Sequence, residues 1–181
     1  MSKTPRILLT GLTATLLMSC LFIGDRREPQ TVFEDDVIDA QVHYLITNDP
    51  ENFSPNTSVT VTAYNRKVLL TGQVPNEATK EKLTELTNTV ANVQTVYNEV
   101  TIGPPTGLVQ RATDTWITTQ VKSLLTAQNS YGLNQTIVVT ENNVVYLIGI
   151  VTQAEAEIAV VKAKSVHGVT EVVKFFEYVA E

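Results

Sequence analysis

Apolar and polar positions along this chain form a pattern that occurs twice. In Val61–Asn76, and again in Val138–Gln153, a run with β-branched residues reaches a polar pair, and a second apolar run with a glycine follows. The polar pairs are Asn65–Arg66 and Asn142–Asn143. Asparagine tolerates the left-handed backbone that a tight hairpin turn needs, so each copy predicts a β-hairpin.

The two glycines, Gly72 and Gly149, take matching places within the return strands. Glycine inside a strand often marks a bulge or a close approach of another backbone. We therefore assign both a structural role and expect valine at either position to disturb its own hairpin. An internal repeat of this length indicates two similar small domains rather than one larger domain.

Helical periodicity precedes each hairpin. Thr31–Glu34 fits a capping box at the start of the first helix. The acids Glu34–Asp36 are typical of a solvated helix start, which the helix dipole favours, rather than of a metal site. Asp114 is the candidate cap of the equivalent helix in the second half. The residues expected to face the core are Ile38, Val42, Leu45 and Ile46 in the first helix and Ile117, Val121, Leu124 and Leu125 in its counterpart.

A second helix follows each hairpin. Asn76 and the capping box Thr152–Glu155 predict the two helix starts, and Gly168 predicts a left-handed end to the last helix. Val93–Ile102 and Val169–Val179 then read as closing strands.

The predicted fold class is α+β, with two tandem αββαβ domains, each a three-stranded sheet packed against two helices. The expected boundaries are a leader at 1–19, a tether at 20–30, the first domain at 31–103, a linker at 104–113 and the second domain at 114–181.

The leader has the features of an export signal. Lys3 and Arg6 precede an uncharged stretch, and small Ser19 precedes Cys20. The stretch is shorter than the roughly 20 residues that span a bilayer. Leu17–Cys20 resembles a bacterial lipobox, whose cysteine becomes the lipidated first residue of the mature protein. The alternative is an uncleaved anchor or a chance cysteine. Since Cys20 is the only cysteine, no intramolecular disulfide can form.

Composition narrows the function classes. The net charge of −6 argues against nucleic acid as the main partner, because no basic stripe is present to neutralise phosphates. No phosphate loop or Cys/His metal spacing occurs. His43 and His167 have no surrounding constellation for catalysis or metal binding. We expect no enzyme activity, no cofactor and no small-molecule substrate.

The duplicated unit resembles the BON domain, and a lipobox followed by two such units resembles the dual BON-domain lipoproteins of the outer membrane. The resemblance covers essentially all of the mature chain. It is carried by residues 61–76, by VYNEV at 96–100, by DTWITTQVKSLL at 114–125 and by VTENN at 139–143. It implies lipidation at Cys20, attachment to the outer membrane facing the periplasm, and support of envelope integrity. It also implies binding of anionic phospholipid through the second domain and association with the machinery that assembles outer-membrane proteins.

Trp116 is the residue on which the lipid hypothesis depends most. It falls beside the inward stripe of its helix, where two interpretations stay open. It either covers an edge of the core or the first domain, or it inserts at the head-group level of a membrane, where indole partitions well. The predicted phospholipid-binding residues are Trp116, Thr115, Thr119, Gln120 and Lys122. The second domain carries no net positive charge, so apolar insertion would supply much of the affinity. A protein-docking adaptor with incidental lipid contact is the alternative function.

Overall fold

The computed structural model describes residues 25–53 and 56–180, so the leader and Cys20 lie outside the described residues. Two αββαβ units follow each other, and the predicted α+β fold class is confirmed. The first unit consists of α1 (Pro29–Thr47), β1 (Ser58–Tyr64), β2 (Lys67–Val74), α2 (Glu77–Asn88), β3 (Thr95–Asn98) and β4 (Thr101–Ile102). The second consists of α3 (Leu108–Thr126), α4 (Tyr131–Asn134), β5 (Ile137–Glu141), β6 (Val144–Val151), α5 (Gln153–Ser165) and β7 (Glu171–Tyr178).

Each unit has its own sheet, with the return strand of the hairpin in the centre. β1 and β2 pair antiparallel, and β3 then pairs parallel with β2 after the α2 crossover. β4 continues along the same side of β2, so β3 and β4 replace the single strand predicted at 93–102. The second sheet has the order β5-β6-β7, with the same directions.

Both hairpin turns have the predicted left-handed geometry. The φ angles are 49° and 62° at Asn65 and Arg66, and 48° and 69° at Asn142 and Asn143. Two consecutive residues with positive φ match the right-handed twist of the strands that they join. The repeated polar pairs therefore fix the register of both hairpins.

Two predicted helix starts are wrong. α1 begins at Pro29, whose fixed φ suits the first helical position, and Thr31 lies buried within the helix rather than capping it. α3 begins at Leu108, with Gly107 as its N-cap, so the end of the predicted linker is helical and Asp114 is not a cap. The prediction that the acids Glu34–Asp36 form a solvated helix start is also wrong for Asp35, which lies within α1 and is only 2% exposed, whereas Asp36 is exposed.

The two other predicted N-terminal caps are confirmed. The Asn76 side chain accepts a hydrogen bond from the Thr79 amide at 2.9 Å. Thr152 and Glu155 form the reciprocal capping box. Gly168 has the predicted left-handed backbone, with a φ of 90°, but it lies in the turn that follows α5, whose C-cap is Val166.

The two glycines share a strand position but not a conformation. Each is the sixth residue of its eight-residue central strand. Gly72 has a φ of 117°, whereas Gly149 lies outside the left-handed region. A β-carbon on Gly72 would overlap the Ser58 carbonyl oxygen, but one on Gly149 would lie 3.2 Å from the Thr136 hydroxyl oxygen.

Each domain buries its own core between its helices and one face of its sheet. The opposite sheet faces pack on each other and form a third buried cluster. Its buried members are Tyr64 and Leu69 from the first sheet and Tyr146, Ile148 and Ile150 from the second. We call this interface between the two sheets the seam. The rings of Tyr97 and Phe175 contact each other across it, with centroids 4.4 Å apart.

Polar contacts at the two ends of the seam show how the sheets are oriented. Gln73, at the far end of β2, donates to the Glu141 carboxylate beside the second hairpin turn, at 2.6 Å. Asn65, in the first hairpin turn, donates to Glu177 near the far end of β7, at 2.9 Å. The turn end of each domain therefore lies against the far end of the other.

Candidate membrane-contact site on the second domain

A buried aspartate holds α3 against the second hairpin. Asp114 is 5% exposed. Its two carboxylate oxygens accept hydrogen bonds from the backbone amides of Asn142 at 3.0 Å and Asn143 at 2.9 Å. Gln110 bridges the same groups, donating to Asp114 at 3.0 Å and to the Asn143 side chain at 2.7 Å. These bonds fix the rotation of α3 and hence the residues that it presents outward.

The first domain repeats this arrangement. Asp35 accepts from the amides of Asn65 at 2.7 Å and Arg66 at 2.8 Å. The sequence predicted a different role for each aspartate, Asp35 in a solvated helix start and Asp114 as a helix cap. The available signal was an aspartate three residues before the first residue of each apolar stripe, Ile38 and Ile117.

The outward side of α3 is apolar over its first turns. Leu108 is 81% exposed, Val109 is 83% exposed and Trp116 is 47% exposed. At about 100° per residue, Val109, Ala112 and Trp116 fall within about 60° of one another on this helix. Trp116 belongs to none of the buried clusters of the described residues. An exposed apolar stripe on a helix that already buries its other face is available to an external partner.

A polar cleft of about 430 Å³ runs along one flank of this stripe, between α3 and the edge of the first domain. It is lined by Ser58, Thr60, Gln73, Thr106, Arg111, Asp114, Thr115, Thr118, Thr119, Lys122, Thr140 and Glu141. Of the residues predicted to bind phospholipid, Thr115, Thr119 and Lys122 thus lie in the cleft, and Trp116 lies on the apolar stripe. Gln120 is exposed and lines neither feature.

The cleft contains two cations that are open to an anion. Arg111 donates from Nε to the Thr106 carbonyl at 2.7 Å, and its terminal nitrogens form no other hydrogen bond within residues 25–53 and 56–180. Lys122 is exposed and forms no ion pair with any residue that the structure describes. Both carboxylates of the cleft are already satisfied, since Asp114 holds the turn amides and Glu141 accepts from Gln73 and Thr106.

The threonine hydroxyls are less available than the sequence suggested. Thr115 donates to the Arg111 carbonyl at 2.8 Å, and Thr119 donates to the Thr115 carbonyl at 2.9 Å. A hydroxyl has only one proton to donate. These side chains therefore offer lone pairs rather than protons to a ligand, and the anion-binding capacity rests on the two cations.

Other site types find less support. Within residues 25–53 and 56–180, no group of three His, Cys, Asp or Glu side chains is placed to hold a metal ion. None of the helices in these ranges is long and apolar enough to cross a bilayer.

The family model of the BON domain matches residues 34–104 and 113–180. The chain is 36% identical over 155 residues to a protein named 21 kDa hemolysin from Actinobacillus pleuropneumoniae. The matched region covers 86% of this chain and 79% of that protein. The chain is also 36% identical over 154 residues to the outer membrane lipoprotein DolP of Haemophilus influenzae, covering 85% and 79%. Among solved structures, the C-terminal domain of CdsD, from the type III secretion system of Chlamydia trachomatis, is 13% identical, with a TM-score of 0.34 over 78% of this chain and 96% of that chain.

Proposed function

This chain belongs to the BON-domain family, and from that premise we propose that it is a non-enzymatic outer-membrane lipoprotein whose second domain binds anionic phospholipid through α3. Its similarity to a protein named as an outer membrane lipoprotein supports the location. The observation that carries the lipid proposal is the apolar stripe of Leu108, Val109 and Trp116 beside Arg111 and Lys122. Neither cation forms an ion pair with a residue that the structure describes. Its action supports the integrity of the envelope.

The arrangement fits the two parts of a phospholipid. The stripe inserts into the region between head groups and acyl chains, where the Trp116 ring is apolar on one side and its N–H stays hydrated. Arg111 and Lys122 lie beside the stripe and meet the phosphate. Each basic residue near an anionic surface contributes on the order of 1 kcal/mol, so insertion and charge act together.

Charge also selects α3 over its counterpart α1. α1 exposes Phe33 and Tyr44, but it contains four acids and no lysine or arginine. An anionic bilayer repels such a surface. On α3 the only acid is Asp114, which is buried and hydrogen-bonded. The net charge of the whole domain therefore understates the attraction of this one helix for anionic lipid.

The test is a titration of the chain lacking residues 1–20 with vesicles containing phosphatidylglycerol. We expect Trp116→Ala to weaken binding at least tenfold while the melting temperature stays nearly unchanged. Tyr44→Ala on α1 is the matched control and should bind as the parent does. A large loss of stability with unchanged binding would instead make Trp116 a core residue and would contradict the proposal.

Lipidation of Cys20 is the second part of the proposal. Stable anchoring takes more than one acyl chain, which a mature bacterial lipoprotein has. Radiolabelled palmitate should enter the parent protein but not Cys20→Ala, and the variant should leave the membrane fraction. A parent protein that takes up no palmitate would overturn this part. The residue after the cysteine is Leu21 rather than aspartate, which favours the outer membrane.

A docking adaptor for the machinery that assembles outer-membrane proteins is the second candidate function. The exposed Phe33 and Tyr44 on α1 favour it, because an acidic aromatic surface suits a protein partner better than an anionic membrane. If Trp116→Ala loses vesicle binding but still co-purifies with an assembly complex, and Phe33→Ala does not co-purify, docking is the main role.

A further inference from the structure

The segment that leads from Cys20 into the first domain makes contact with both domains. We define Asp25–Glu28, directly before α1, as the strap. Arg26 reaches the second domain, where Nη1 donates to the Ile150 carbonyl at 2.9 Å. The same guanidinium forms a two-pronged ion pair with Glu155, at 2.6 and 3.2 Å.

The next residue of the strap holds the first domain instead. Arg27 pairs with Asp35 at 2.8 Å and lies 4.2 Å from the centre of the Tyr64 ring. The Asp25 carboxylate forms a second ion pair with the Arg27 guanidinium, at 2.8 Å. Two adjacent arginines thus bind one carboxylate in each domain, and Arg27 is itself largely buried.

Both carboxylates are organised without the strap. Glu155 also accepts from the Thr152 amide at 2.8 Å, from the Gly132 amide at 3.2 Å and from the Ser130 hydroxyl. Asp35 accepts from the two amides of the first hairpin turn. Removal of an arginine therefore leaves each domain its internal hydrogen bonds, and the contact that is lost is the one between the strap and that domain.

We propose that the strap is a releasable clasp that holds the two domains together across the seam. The equivalent segment before α3 closes the opposite end of the seam, where Thr106 donates from its amide to Gln73 at 2.8 Å and from its hydroxyl to Glu141 at 3.0 Å. That segment connects the domains covalently and cannot leave. The strap is joined to the first domain at its end, where the Glu28 carbonyl accepts from the Val32 amide at 3.2 Å, but only the Arg26 side chain joins it to the second domain. Four residues separate the strap from Cys20. Force or displacement at the anchor thus acts directly on domain packing, and release lets the sheets part at the end where Tyr64 and Ile150 meet.

The experiment measures the separation of the domains in the full chain in detergent micelles. Spin labels are attached to unnatural amino acids that replace Glu81 on α2 and Lys164 on α5, both exposed. Pulsed electron paramagnetic resonance then gives the distribution of distances between the two labels. We expect one narrow peak in the parent and a broad distribution with added longer distances in Arg26→Ala. Arg66→Ala is the matched control, because its ion pair with Glu34 at 2.6 Å stays within the first domain, and its peak should stay narrow.

A second variant keeps the test decisive if Arg26→Ala loses helical signal in circular dichroism. Arg26→Lys retains the charge but cannot form the two-pronged pair, so its distribution should broaden to an intermediate extent. Distributions as narrow as the parent's in every folded Arg26 variant would overturn the proposal. Equal broadening in Arg66→Ala would also overturn it, because the effect would then not belong to the strap.

Discussion

At the scale of single residues, the most informative side chains are the two buried aspartates that bind the hairpin turns. In Asp114→Asn, one of the two turn amides would face an NH₂ group instead of an oxygen. Leaving a buried donor unsatisfied costs about 1–3 kcal/mol. We expect that loss in the free energy of unfolding measured with denaturant, and Asp36→Asn, at an exposed position of α1, should change it by less than about 0.5 kcal/mol. Equal losses of unfolding free energy in the two variants would show that the hydrogen bonds from the turn amides to Asp114 add no stability.

The two central-strand glycines lead to a prediction of unequal effects. Alanine at Gly72 would adopt a positive φ, which costs about 1–3 kcal/mol in backbone strain, and its β-carbon would collide with the Ser58 carbonyl. Alanine at Gly149 needs only a small shift of the Thr136 side chain. We expect Gly72→Ala to lower the melting temperature markedly and Gly149→Ala to leave it within a few degrees. Comparable losses in both variants would contradict the difference in backbone conformation.

At the scale of helices and strands, local chemistry predicted much of the fold. The asparagine turns, the Asn76 cap and the Thr152–Glu155 box act through neighbours in sequence, so they are visible without a structure. Asp114 was misread because a buried aspartate that binds a turn 28 residues away has the same local signature as a cap. The proposed lipid-contact residues depend partly on local pattern and partly on tertiary packing. The position of Trp116 on its helix follows from periodicity, whereas Arg111 and the cleft depend on where the first domain packs.

The stability that the capping box of α5 contributes depends on pH, because Glu155 titrates. Burial alone would raise the pKa of this carboxyl, but hydrogen bonds from Arg26, Ser130 and the Thr152 amide outweigh it and lower the pKa to about 2. Because the folded pKa is below the ordinary 4.5, the stabilisation is fully present above pH 4.5 and is lost as the pH falls toward 2. Linkage bounds it at about 3 kcal/mol.

The measurement is the free energy of unfolding between pH 5 and pH 2. Glu155→Gln removes the titrating group, so its decline over this range should be shallower than the parent's. Glu157→Gln, two residues away and exposed, should decline as steeply as the parent. Parallel curves for the parent and Glu155→Gln would show that the ionised Glu155 carboxylate adds no stability over this pH range.

At the scale of the whole molecule, the segment that leads from the proposed anchor and the helix proposed to bind lipid, α3, lie at opposite ends of the seam. The strap contacts Ile150 at the far end of β6, whereas Asp114 holds α3 to the turn just before Val144, where β6 begins. Six residues of strand separate these points by about 20 Å. The five peptide steps from Cys20 to Asp25 span at most about 18 Å. For α3 to reach the leaflet that holds the anchor, β6 must therefore lie roughly along the bilayer rather than upright on it.

This orientation can be read from Trp116, which is the only tryptophan and so the only source of indole emission. We expect the lipidated full chain, reconstituted at high dilution into vesicles with a quencher on the lipid head group, to show strong quenching of that emission by its own vesicle. Leu108→Ser should reduce the quenching, because it weakens the apolar stripe without touching the strap or the seam. If β6 stands upright on the bilayer instead, Trp116 should remain unquenched in dilute vesicles. Added anionic vesicles should then cluster, because the free α3 binds a second bilayer. Vesicle clustering of that kind would show that the molecule stands upright and bridges two membranes.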